Sequence, residues 1–200
     1  MYLKIILDFI QAISVIIASI VAVYGISSWR RETAWKRKYE IAEEVLSCLY
    51  DIAERFDVIR NNLGVSGEGN SSKNDGNKPL SKSDIVYERY EAEKTPFVKL
   101  KSLKYRFMLL YGKEACEPIN EIIRLKNKLL IAGHNIQHYE LSLEEVTQLP
   151  REELEKRYLK KEKYEAIIWA DYGEKDDFKE SVHQAINKVE NICSSIMKRK

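Results

Sequence analysis

Two histidines, His134 and His138, stand four residues apart, the spacing that puts two imidazoles on one helix face as a pair of metal ligands. The rest of a zinc-hydrolase helix is missing. The acidic residue of such a helix is absent, and the nearest carboxylate is Glu140. Gly133 and Asn135 flank the pair where a helix is expected to end, so capping or solvated histidines explain it better than a metal. His183 lies beside the Val182 position of the last apolar seam and reads as a histidine at a helix edge. All-helical nucleases of toxin systems place an arginine four to seven residues before a histidine, and none of the three histidines has one there. Asp171, Glu174, Asp176 and Asp177 surround Gly173 without the spacing of a calcium loop. Carboxylates ahead of a helix stabilise its N-terminus, so Asp176 or Asp177 is expected as a cap.

Other chemistry finds no footing. There is no phosphate-cradling glycine loop, no Gly-x-Ser-x-Gly elbow and no Cys-x-x-Cys pair. Cys48, Cys116 and Cys193 are far apart and odd in number, and read as reduced, buried small hydrophobes. Lys156, Arg157, Lys160, Lys161 and Lys163 interleave with Glu152, Glu153, Glu155, Glu162 and Glu165, the pattern of a solvated helix face laced with ion pairs. A formal charge of +2 over 200 residues gives no global field for nucleic acid. The expectation is a non-enzymatic protein, with no catalytic residue, no cofactor, no metal ligand and no nucleic-acid partner.

The elements that would position any site begin with an uncharged run from Phe9 to Ser28. Twenty residues at 1.5 Å each match a hydrocarbon core of about 30 Å, so the run predicts one membrane-spanning helix. Its serines can return their hydroxyls to carbonyls one turn back. A cleaved secretory signal would have basic residues before a shorter apolar stretch and a small-residue cleavage site. Here only Lys4 precedes, Asp8 offsets it, and no Ala-x-Ala follows.

The collar after the span is basic: Trp29, Arg30, Arg31, Trp35, Lys36, Arg37 and Lys38, with Glu32 the one acid among them. Basic residues at a span end are retained in the cytoplasm, which puts residues 31–200 inside and the first residues outside. Trp29 and Trp35 are expected at the headgroup layer, where the cluster should attract anionic lipid. Within the span, Ser14, Ala18 and Ala22 fall at i, i+4 and i+8 with Gly25 near the same face, a spacing that lets two helices approach closely in lipid. A homo-oligomer is therefore expected.

Residues 1–30 form the tail and span, and 31–200 one cytoplasmic helical domain. Tyr39, Ala42, Leu46, Leu49, Ala53, Phe56 and Leu63 recur in steps of three and four with Arg60 as the one break. This predicts a helix continuous with the span, capped at Gly64. Residues 64–82, rich in glycine, serine and asparagine, read as a mobile loop. Ser83 is expected to cap the next helix, and Thr95-Pro96 to start another that stops at Gly112. A further stripe ends near Gly133, and residues 134–149 read as irregular, with a capping box at Ser142–Glu145. A helix runs from Pro150 to about Ala170, broken by Gly173. Phe178, Val182, Ala185, Val189, Ile192 and Ile196 then form the cleanest heptad seam. The fold class is all-α: an N-terminal transmembrane helix continuing into a bundle of four or five cytoplasmic helices.

The collar Trp29–Arg31 and Trp35–Ala42, with the segment from Ile168-Trp169 to Ile196, resembles a loose group of uncharacterised bacterial single-span proteins with a small helical cytosolic domain. Some of that group are encoded near phage-defence genes. The resemblance implies the bacterial inner membrane, contact with lipid and a protein partner encoded nearby, and it supplies no catalytic residue. It points to a membrane-anchored protein acting through self-association or partner contacts, as a defence sensor or effector. The competing readings are a membrane-perturbing, pore-forming effector and the metal-dependent hydrolase built on His134 and His138.

Overall fold

Between Tyr2 and Ile59 the chain has no proline and a single glycine, Gly25, and it forms one 58-residue α-helix, α1. The computed structural model describes residues 2–62, 82–139, 143–170 and 175–197. Among these residues six further α-helices follow: α2 (Lys82–Glu93), α3 (Thr95–Tyr111), α4 (Glu117–Ile136), α5 (Leu143–Gln148), α6 (Arg151–Ile168) and α7 (Asp177–Met197). There is no strand among the described residues, and the protein is all-α. From Ile6 onward α1 contains one stretch long and apolar enough to cross a membrane, and none of that stretch is buried against the rest of the protein.

The lower half of α1 is the spine of the core. Ile41, Ala42, Val45, Leu46, Cys48, Leu49, Ile52, Phe56 and Ile59 are all buried, a wider face than a single seam because α3 and α7 pack on either side. Each fully buried leucine, isoleucine or phenylalanine contributes about 1.5–3 kcal/mol. Phe56 meets Phe97 of α3 and Phe178 of α7 edge-on, each at 5.1 Å between ring centroids. Both neighbours run antiparallel to α1. Along α3 the partners of Phe56, Glu44 and Lys38 are Phe97, Arg106 and Tyr111. Along α7 the partners of Phe56 and Tyr50 are Phe178 and Glu190. On the far side of the core, α4 lies against α7, α2 and α6.

Several boundaries differ from those read in the sequence. Helix α1 stops at Ile59 rather than Leu63, because Arg60 leaves the helical path to serve the core, and Gly64 lies outside the described residues. Ser83 lies inside α2, one residue past its start at Lys82, a difference within the ordinary fraying of helix ends. Of the loop expected at 64–82, residues 64–81 lie outside the described residues, and Lys82 belongs to α2.

Helix α4 does not end at Gly133 but runs to Ile136. The glycine serves packing instead. A Cβ placed there would sit 3.1 Å from Cγ1 of Val86, tighter than ordinary contact, so the absent side chain lets α2 lie this close to α4 without Val86 having to give way. Helix α6 ends at Ile168, before Gly173, and residues 171–174 lie outside the described residues. Gly112 does end α3: its φ is 94° and its N–H donates to the Met108 carbonyl at 2.9 Å.

Candidate functional site: the open side of the long helix

A helix with one side packed against a domain has one side left over. In α1 that side is an unbroken exposed line through Trp29, Glu32, Lys36, Glu40, Glu43, Ser47, Tyr50 and Glu54, in steps of three and four. Followed upward at the same spacing, the line reaches Gly25, Ala22, Ala18 and Ser14, all exposed. The small-residue face of the apolar half and the open side of the domain half therefore lie on one side of one helix. In the apolar half, Ser14, Ser19 and Ser27 donate their hydroxyls to the carbonyls of Ile10, Val15 and Tyr24 at 2.9, 2.8 and 2.9 Å. Those polar atoms are thereby satisfied without water, as the sequence suggested.

Between this open side and α7 lies a groove of about 800 Å³. Leu46 and Tyr50 give it an apolar wall, and Glu43, Asp51, Glu54 and Glu190 surround them with carboxylates. Tyr50 donates its hydroxyl to Glu190, and that bond holds the phenol proton above its usual range. Arg55 draws Asp51 to one side at 2.9 Å. Glu43 and Glu54 have no ion-pair partner among the described residues. From Tyr39 to Ile59 the helix carries six acidic residues and one basic, so the groove is negative.

The collar sits above this region. Arg30, Arg31, Lys36 and Arg37 are exposed, Trp29 is 66 % exposed, and the Arg31 Nε–H reaches the Ser27 carbonyl at 3.3 Å. Trp35 is half-buried and stacked on Tyr39 with ring centroids 5.5 Å apart, and its indole N–H has no acceptor among the described residues. Lys38 lies 5.9 Å from the centroid of the Tyr111 ring.

Sequence reasoning saw Arg60 only as a gap in an apolar seam. The structure makes it the joint of three helices. Its guanidinium is 1 % exposed and pairs with both carboxylate oxygens of Asp176 at 2.8 and 3.1 Å. It also donates to the carbonyls of Ala166, Ile167 and Trp169 at 3.2, 2.8 and 2.8 Å, and lies 4.3 Å from the centroid of the Phe178 ring. One side chain thus satisfies orphan carbonyls at the C-terminus of α6, where helix-dipole charge favours a cation. The Ala170 N–H returns a bond to the Arg60 carbonyl at 2.7 Å. Asp176 is the expected cap of α7, accepting from the Lys179 N–H at 3.0 Å. Arg89, also buried, reaches the carbonyls of Ile59 and Asn61 at the end of α1. An arginine placed where an apolar residue was due, with a capping aspartate far along the chain, was the available signal.

The remaining chemical candidates stay apart. His134 and His138 are both exposed, with ring centroids 5.9 Å apart, and Glu140 lies outside the described residues. No group of three histidine, cysteine, aspartate or glutamate side chains gathers among the described residues. His183 is exposed on α7. The three cysteines are free and buried, and burial pushes the Cys48 and Cys193 thiols up to about 11. Thiols held protonated in this way are poor nucleophiles. Helix α6 carries its charges as i, i+4 pairs, Arg151 with Glu155 at 3.1 Å and Lys156 with Glu152 at 2.7 Å among them. No family model, curated protein or solved structure matches the chain.

Proposed function

We propose that this protein is anchored in a membrane by the upper half of α1 and acts through contacts, with copies of itself or with a partner, rather than by catalysis. The observation that supports this reading most directly is the continuity of α1. A wholly exposed apolar stretch runs without a break into the buried spine of the helical domain, so whatever holds the upper half also fixes the domain's orientation. The apolar stretch followed by the basic collar fits a single crossing with the domain on the cytoplasmic side, at the surface of anionic lipid. Placement in the bacterial inner membrane, with a role in phage defence, follows the resemblance of the collar and of the last helical segment.

Contact is offered along the open side of α1 below the collar, where the domain leaves Glu43, Ser47, Tyr50 and Glu54 uncovered. Counting bleaching steps of the fluorescently tagged full-length protein in native membranes tests the reading. Two or more copies per spot at physiological density are expected. Single copies, with no protein co-purifying after cross-linking in the membrane, would remove it.

A further inference from the structure

Two faces of this domain are mismatched in charge within one chain and matched between two. The groove between α1 and α7 is acidic, and Glu43 and Glu54 have no ion-pair partner among the described residues. Its size, about 800 Å³, and its wall of Leu46 and Tyr50 suit the ridge of another helix. On the opposite flank of α1 lies α3. From Thr95 to Lys113 the chain has five basic residues and no acidic one. The outward ridge of α3 is Val98, Ser102, Tyr105 and Leu109, at steps of four, three and four, and Leu109 is 82 % exposed. Lys99 and Arg106 are partly occupied by Glu44 at 3.8 and 2.9 Å, whereas Lys101 and Lys113 have no acidic partner among the described residues. The charge is unrelieved enough to act on its neighbours: Lys126 is held below its usual range first by burial and then by the Lys101 ammonium.

Height decides whether the two faces can meet. Helix α3 runs beside α1 from the level of Phe56 up to the level of Lys38. The groove occupies α1 from Glu43 to Glu54, within that interval. Two copies anchored in one membrane by the same segment therefore present ridge and groove at the same depth, with no vertical offset to overcome.

The alternative arrangement is a symmetric pair along the open side of α1. It would bring Glu43, Glu54 and Glu190 of each copy against their own equivalents, and like charges facing each other are strongly unfavourable.

We infer that the α3 ridge of one copy docks in the α1–α7 groove of the next, giving a head-to-tail row of copies across the membrane surface. This rests on the self-association reading above and names its interface. Two helix-packing distances of 8–10 Å separate the neighbouring long helices, about 16–20 Å in all, so their apolar halves are not in direct contact. The interface is heterologous, and it closes into a ring or continues as a filament according to the rotation between copies.

The test uses the full-length protein in native membranes, where the buried native cysteines leave introduced ones as the reactive thiols. A short bismaleimide should join Tyr105→Cys in one copy to Ser47→Cys in another, since Tyr105 stands on the ridge close to the level of Ser47. Tyr105→Cys alone and Ser47→Cys alone should give little product. Reversing one face, with Lys101→Glu, or the other, with Glu43→Lys and Glu54→Lys, should lower pairing roughly a hundredfold or more. Mixing the two reversed forms should restore both interfaces, reversed ridge in reversed groove and unchanged ridge in unchanged groove, and so a row in which the two forms alternate. Carrying both reversals in one chain should restore the row.

Equal cross-linking of like positions would overturn the head-to-tail interface. Charge reversals without effect, in a protein that still associates but separates on Ala18→Leu, would place the contact in the apolar half and overturn it too, leaving self-association intact. A monomeric wild type would remove both.

Discussion

Arg60 and Asp176 lie 116 residues apart in sequence and meet as a buried ion pair, Nη1 to Oδ2 at 2.8 Å, with 1 % and 8 % of their side chains exposed. The pair links the end of α1, the end of α6 and the start of α7. Burying two charges is costly, and the pair persists because every neighbouring polar atom is used: three carbonyls, two carboxylate oxygens and the capped N–H of Lys179.

Removing one partner strands the other. Arg60→Ala should destabilise the domain by about 3–5 kcal/mol, the range for breaking a buried pair. Arg60→Lys should fail to rescue it, since an ammonium cannot reproduce the fork that spans carboxylate and carbonyls. Urea unfolding of the detergent-solubilised protein measures both. A loss under 1 kcal/mol for Arg60→Ala would show the joint to be dispensable.

Gly133 and Val86 set the spacing of α4 and α2. Gly133→Leu should cost about 1–3 kcal/mol by overpacking, even though leucine is the better helix former. Adding Val86→Ala should recover part of that loss, giving a coupling that unfolding of the single and double variants would detect. Additive effects would mean that the two helices do not press on each other here.

Stability should depend on alkaline pH with a definite sign. The Cys48 and Cys193 thiols are raised to about 11 by burial, from an ordinary 9.0, so the folded protein binds these protons more tightly than the unfolded chain. Their contribution is complete below pH 9 and is lost as the pH climbs from 9 to 11. Unfolding midpoints should fall across that window, and Cys48→Ala with Cys193→Ala should make the fall shallower. An unchanged slope would assign the alkaline transition to other groups, such as Tyr111, whose hydroxyl is also raised by burial.

How far the sequence was readable depended on the kind of force involved. Periodic apolar residues report burial directly, so Phe178, Val182, Ala185 and Val189 on α7 were placed correctly. The i, i+4 ion pairs of α6 are local and were equally legible. Glycine was ambiguous. Gly112 ends a helix through its positive φ, whereas Gly133 lies within one, because only the neighbour Val86 decides between capping and close packing. Arg60 was misread for the same reason. Its worth comes from Asp176 and three carbonyls more than a hundred residues away, and no local pattern announces them. The groove was also hidden, because it needs α7 beside α1, although its acidic residues were visible one by one.

The collar should set the orientation. Changing Arg30, Arg31, Lys36, Arg37 and Lys38 to glutamate should yield a mixed or inverted topology, since retention of basic residues is the sorting force. Reporter fusions at Lys200, one active only inside the cell and one only outside, would show it. Unaltered reporter activity would move the determinant elsewhere.

The most direct test of the whole account is labelling from outside. Tyr2 and Leu109 are 80 % and 82 % exposed and lie at opposite ends of the proposed crossing, while the native cysteines are buried. Tyr2→Cys and Leu109→Cys, made separately in the full-length protein, should be treated in spheroplasts with a membrane-impermeant maleimide. The account predicts that Tyr2→Cys is labelled in intact spheroplasts and that Leu109→Cys is labelled only after permeabilisation. Labelling of Leu109→Cys from outside, or of neither position without permeabilisation, would contradict it.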